Sequence, residues 1–259
     1  MQGPIAALIP VTAMLLAYDL ADFSTVGAIV LFLVAVIASA AFAAWIVAFW
    51  LRGGLQLDSV HGGWLLPTVA AGLVGADTAA RVGLTGLGWG LFGIGVFFWA
   101  IMTLLVLARL AFGSPLPEPL VPTTAILLAP PAVAGIALFE LEGLSDSIGA
   151  ELLAGLAALL ALVQLALVVR YRRLHFSLGF WSFTFPVAAA IVQAMLWLRL
   201  TAVPGWQGLT IALLVLVTAL VGAIAARSLA DAAPHRRRGA AEATLLGADA
   251  AAAEEDARA

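Results

Sequence analysis

ILLAPPAV, residues 126–133, places two prolines in the middle of an apolar run extending over roughly 121–139. About 20 mostly apolar residues suffice to cross a bilayer as a helix. A proline inside such a helix removes one backbone hydrogen bond and bends the axis. The arrangement recurs in ALIPVTAM around Pro10, WLLPTVAAG around Pro67 and FTFPVAAA around Pro186. Pro10, Pro67, Pro130 and Pro186 follow one another at 57, 63 and 56 residues. Eight apolar runs can be drawn, at about 4–18, 26–51, 62–76, 84–108, 121–139, 149–169, 179–198 and 207–227. The prolines fall in the odd-numbered runs, and the even-numbered interiors hold none. A period near 60 residues therefore means one kinked and one straight helix per unit, four helical hairpins in all.

Composition sets the class. Of the 259 residues, 64% are hydrophobic and 10% charged, against roughly 45–50% and 25% in a soluble domain. Too few polar side chains remain to cover a soluble surface, so an all-α integral membrane protein is expected. Disorder, nucleic-acid binding and a disulfide-stapled fold are excluded by the same numbers, by a net charge of −3 and by the absence of cysteine. The runs lack the alternation of a membrane β-barrel. His61, His175 and His235 share no ligand spacing, so neither a metal nor a cofactor is expected. No nucleophile triad is visible, and no enzymatic activity is expected.

Kinked helices belong inside the bundle. A proline frees the carbonyl four residues earlier, here at Ala6, Gly63, Ile126 and Ser182, and such a group must be buried in protein or face water. Small residues flank the kinks, Gly72 and Gly75 or Ala188, Ala189 and Ala190 among them, and permit close packing. An inner ring of kinked helices around a central passage is the economical arrangement, with straight helices against lipid. Thr12, Thr68, Thr124 and Thr184 stand close to the prolines and are candidates for the pore lining. The alternative is that their hydroxyls satisfy backbone groups. Asp19, Asp77, Arg109, Glu140, Arg170 and Arg199 sit at span ends, where ordinary interface placement accounts for them. Asp77 and Arg81 could form a vestibule ion pair or lie on a solvated turn.

Four stretches, IAALIPVTAMLLAYDL (5–20), HGGWLLPTVAAG (61–72), LPEPLVPTTAILLAPPAVA (116–134) and FSLGFWSFTFPVAAA (176–190), resemble the tellurite-resistance/dicarboxylate transporter family. That family includes slow anion channels and a malate transporter. The resemblance covers roughly 1–228. It implies ten helices as five hairpins in a quasi-fivefold ring, kinked inner helices lining a pore, and a homotrimer with one pore per subunit. It also implies that a phenylalanine before the last inner-helix proline plugs the pore, and Phe185 occupies that position. Two departures stand out. His61-Gly62 replaces the family's usual His-Pro, and the alignment starts at the family's third span, so the first hairpin is expected to be missing and Met1 not to be the natural start.

Three functions follow from these readings. The first is a passive channel for small inorganic or dicarboxylate anions, gated by Phe185. The second is a carrier for C4-dicarboxylates such as malate or a related small anion, proton-coupled or not. The third is a truncated, non-conducting remnant. Anion preference comes from the resemblance, because kink carbonyls are themselves partially negative. Residues 1–228 are expected to form the transmembrane domain, with 229–259 an Ala-rich, disordered cytoplasmic tail.

Orientation follows from arginine. The first positive charge is Arg52, so a cleavable leader is not expected and the first span is expected to stay in the bilayer. Loops after even-numbered spans, with the tail, hold ten arginines, whereas those after odd-numbered spans hold only Arg81 and Arg199. Both termini are therefore expected in the cytoplasm, in the cell (inner) membrane. A cysteine introduced as Asp146→Cys into this cysteine-free chain should react with an impermeant thiol reagent from outside the cell. Labelling from the cytoplasmic side alone would reverse the topology.

Overall fold

The computed structural model describes residues 6–256, with side chains through Asp231. Eight α-helices follow in chain order: α1 Leu8–Leu20, α2 Thr25–Leu51, α3 Ala71–Arg81, α4 Thr85–Phe112, α5 Ala129–Glu142, α6 Ile148–Tyr171, α7 Thr184–Thr201 and α8 Trp206–Asp256. No strand occurs among the described residues. The chain is an all-α, multi-pass membrane protein. Six helical segments are long and apolar enough to cross a membrane. Two further segments complete the eight: α1, with 13 residues, and the stretch 62–81, which is assembled from three kinds of helix. The tail expected at 229–259 falls almost wholly beyond the described side chains.

The helices pair as antiparallel hairpins, α1 with α2, α3 with α4, α5 with α6 and α7 with α8. Short turns join each pair on one side of the bundle, here the turn side. Longer links at 52–61, 113–117 and 172–177 lie on the other, the loop side. Serine begins two of the outer helices. Ser24 Oγ accepts from the Gly27 amide at 3.1 Å, and Ser147 Oγ from the Ala150 amide at 3.3 Å, so each satisfies a donor that a helix start leaves open.

Odd-numbered helices form the inner row. Helix α3 packs on α1 and α5, and α5 packs on α7, whereas α1 and α7 share no sizeable interface. The row is thus an arc. Within the most apolar part of Glu118–Glu142, 78% of the residues are buried, against 6% in α6 and in the described part of α8. Segment Leu178–Thr201, at one end of the arc, is only 22% buried. Inner packing depends on glycine where backbones approach. A Cβ on Gly72 would lie 2.7 Å from Gly95 Cα, so α3 and α4 touch backbone to backbone.

The prolines do not sit in helix interiors, which corrects the geometry expected from the sequence. Each inner segment begins on the loop side as 3₁₀-helix: residues 6–7, Gly62–Leu65, Glu118–Leu128 and Leu178–Phe183. Pro10, Pro130 with Pro131, and Pro186 then stand in the first turn of α1, α5 and α7, where an N–H is not needed. Pro67 lies in a π-helical turn, Leu66–Ala70, ahead of α3. Two of the four carbonyls expected to be free are bonded. Gly63 accepts from the Leu66 amide and Ile126 from the Ala129 amide, three residues on in each case. The 3₁₀ pattern closes the ladder that proline would have broken.

Gly72→Ala should destabilise the folded protein by about 1–3 kcal/mol through overpacking against α4. Gly90→Ala, on α4 with open space around it, should be neutral or slightly stabilising. Thermal unfolding of the two variants in detergent checks the contrast.

Candidate pore and its two mouths

Where the 3₁₀ and π turns give way to α-helix, the inner segments leave a small cavity. Its walls are Leu65, Leu66, Val69, Ala70 and Leu73 from one segment, Ile126, Ala129, Pro130 and Val133 from the next, and Phe185 from the third. At about 20 Å³ it admits on the order of one water molecule. No polar side chain lines it. Phe185 immediately precedes Pro186, and its half-buried ring packs against the core.

The candidate lining threonines are divided. Thr124 Oγ1 donates to the Val121 carbonyl at 2.8 Å inside its 3₁₀ segment, and Thr184 Oγ1 donates to the Trp181 carbonyl at 2.8 Å at the end of the next one. Thr68 is buried in the π turn with no partner for its hydroxyl. Thr12 is exposed on α1. None of the four borders the cavity.

The loop side holds two polar assemblies that the sequence reading did not bring together. In the first, Tyr171 OH meets Gln164 Oε1 at 2.6 Å and Thr124 Oγ1 at 2.8 Å. Gln164 Nε2 donates to the Thr124 carbonyl at 3.3 Å, and the Tyr171 ring meets Phe183 edge-on at 4.8 Å. Helix α6 thereby holds both the 3₁₀ segment of α5 and the approach to Phe185. In the second, Arg109 is 2% exposed, not at an ordinary lipid interface. Its Nε donates to the Asp58 carbonyl at 3.3 Å, and Nη1 donates to the Ser114 carbonyl. Ser114 Oγ donates to Asp58 Oδ2 at 2.8 Å. The Ser114 hydroxyl and amide, with the Arg109 guanidinium, hold the Asp58 carboxyl below its usual range.

The turn side differs. Arg81 pairs with Asp22 rather than Asp77, and its guanidinium lies 5.3 Å from the centre of the Tyr18 ring. Tyr18 OH donates to Glu140 Oε1 at 2.7 Å. Asp77 is buried on α3. Neither the ion pair nor the solvated turn expected for Asp77 is formed.

Continuous outer helices, inner segments that change helix type near proline and an apolar cavity bordered by Phe185 accompany the stretches quoted above. The profile of the family described as "Voltage-dependent anion channel" (SLAC1) matches residues 1–229. The chain belongs to this family. It is 31% identical over 185 residues to the "Tellurite resistance protein TehA homolog" of Haemophilus influenzae, covering 71% of this chain and 56% of that one. It is 28% identical over 166 residues to the "Guard cell S-type anion channel SLAC1" of Arabidopsis thaliana, covering 63% of this chain and 29% of that one. The chain spans about half the length, or less, of these curated relatives.

Glycine at position 62 has a local cause. A Cβ there would fall 2.0 Å from the Thr123 carbonyl oxygen, so two inner segments come closer than any other residue allows.

Tyr171→Phe keeps the ring contact with Phe183 and removes the hydroxyl between Gln164 and Thr124. A loss of about 1–3 kcal/mol is expected from the partners left unpaired. Chemical unfolding in detergent measures it.

Proposed function

We propose that this chain forms a passage for small anions across the membrane, closed in this conformation by the Phe185 ring. One observation carries the reading: the central cavity is walled by apolar residues from three inner segments, and an aromatic side chain supplies one wall. Membership of the voltage-dependent anion channel family supports anions as the cargo. The arginines concentrated on the loop side support it too, because a basic rim collects anions from solution. Passive passage of an inorganic anion is favoured over C4-dicarboxylate carriage, since the cavity offers no side chain to grip a carboxylate.

Assembly and orientation belong to the same proposal. The arginine asymmetry supports termini on the cytoplasmic side of the cell membrane, and the resemblance supports a homotrimer with one passage per subunit. One more helical hairpin between α1 and α7 would turn the arc into a ring. The low burial of Leu178–Thr201 for an inner segment and the exposure of Ile9 and Leu16 on α1 support that closure.

Single-channel recording in planar bilayers tests the gate. Phe185→Ala should fold and raise the resting anion current severalfold, while Phe183→Ala, which loses its packing on Tyr171, should leave it unchanged. If Phe185 only fills space, truncation costs roughly 3–5 kcal/mol of stability and opens nothing. Unchanged current in a well-folded Phe185→Ala protein would refute the gate.

A further inference from the structure

Asp77 is the one buried carboxylate among the described residues, 8% exposed. Its Oδ1 is enclosed and receives no hydrogen bond from the protein. An ionisable group placed this way in a membrane protein marks a functional site by default, because an ionised carboxylate without donors is costly to enclose.

Its surroundings come from three helices. From α1 comes Tyr18, and from the turn after it Asp22. From α5 comes Glu140, and from α3 itself Arg81. Helices α2 and α4 begin here with Thr25 and Thr85 and bring no charged group. The charges close enough to act on Asp77 are those of Glu140 and Arg81. Arg81 offsets the burial only in part. Arg81 is engaged by Asp22, and Glu140 is a second carboxylate, held by Tyr18. The position is fixed as well, since the neighbouring Thr78 hydroxyl donates to the Met14 carbonyl at 3.2 Å and ties α3 to α1.

We propose that Asp77, beside Glu140 and Tyr18, is a proton-binding site at the turn-side mouth, and that its protonation admits anions to the passage. A metal ion is the weaker occupant. It needs several oxygens around it, and no three His, Cys, Asp or Glu side chains among the described residues come together to hold one. A proton needs one oxygen. The sign of the effect follows from charge. Ionised, Asp77 joins Glu140 in repelling an anion at the mouth; protonated, it removes half of that repulsion and becomes a hydrogen-bond donor. The admission role rests on the anion-passage reading, whereas the proton site does not.

Two measurements on the full chain in lipid separate these parts. Infrared difference spectra in D₂O should show the carbonyl band of a protonated carboxyl at neutral pH. Asp77→Asn should abolish that band, and the loop variant Asp146→Asn should retain it. Absence of an Asp77-dependent band overturns the site whether or not the chain conducts. In planar bilayers, acidifying each side in turn from about pH 8 to about pH 5 should raise the wild-type anion current severalfold from the turn side only. Asp77→Asn, which is near-isosteric and permanently neutral, should show a high current indifferent to pH. The band together with a wild-type current indifferent to pH overturns the admission role and leaves the passage standing. The band in a chain that carries no anion current under any condition overturns the passage, and the admission role with it.

Discussion

Inside a bilayer a backbone amide or carbonyl has no water to turn to, and proline deletes a donor from the ladder that would otherwise satisfy its neighbours. The inner segments meet this constraint by changing helix type at the proline rather than by kinking around it. A 3₁₀ start bonds the Gly63 and Ile126 carbonyls three residues on, and in α1, α5 and α7 the proline stands in the first turn, where no donor is missed. Length follows from the same choice. At about 2.0 Å per residue the 11 residues Glu118–Leu128 rise roughly 22 Å. The 14 residues of α5 add about 21 Å. Together they exceed the hydrocarbon thickness, although α5 alone would not. The cavity lies at the change of pitch.

Inner and outer helices then sort by what their surfaces can tolerate. Between membrane helices the attraction comes from close packing rather than from expelling water. Gly72 against Gly95 brings backbones together on the α3–α4 face, while the outward faces of α4 and α6 carry exposed residues such as Phe97, Leu104, Leu162 and Leu165. The arc therefore has a tightly packed concave row and a lipid-compatible convex one. Its two ends, α1 and α7, show surfaces of both kinds.

The proline rhythm made the hairpins and the inner row legible, because a period of one kinked and one straight helix has no other simple reading. The position of Phe185 beside the cavity was legible through the resemblance, not through composition. What stayed hidden was local. Counting four residues back from each proline presumed α-helix on both sides, and the 3₁₀ segments invalidate that count at Gly63 and Ile126. Arg109 and Asp77 were assigned to interfaces because hydropathy sees only that a charge stands at the end of an apolar run. Their burial depends on Asp58 and Ser114 in one case and on Tyr18 and Glu140 in the other, residues that sequence distance keeps apart. Gln164, a single amide in the apolar α6, gave a weak signal, and its meaning required Tyr171 seven residues on.

Arg109 and Asp77 also show why burial of a charge is not by itself informative. Arg109 has two carbonyls and a carboxylate around its guanidinium, so enclosing it fastens the α2–α3 link to the α4–α5 link; the charge is answered and the group acts as a strut. Asp77 is enclosed to a similar degree, yet the one guanidinium nearby is turned to Asp22 and one of its own oxygens meets no donor. Packing could have excluded such a side chain at little cost in volume, since alanine or threonine fills similar space on the same helix. A buried carboxyl with one oxygen unanswered therefore sets the turn side apart from the loop side, where the buried charge is fully met.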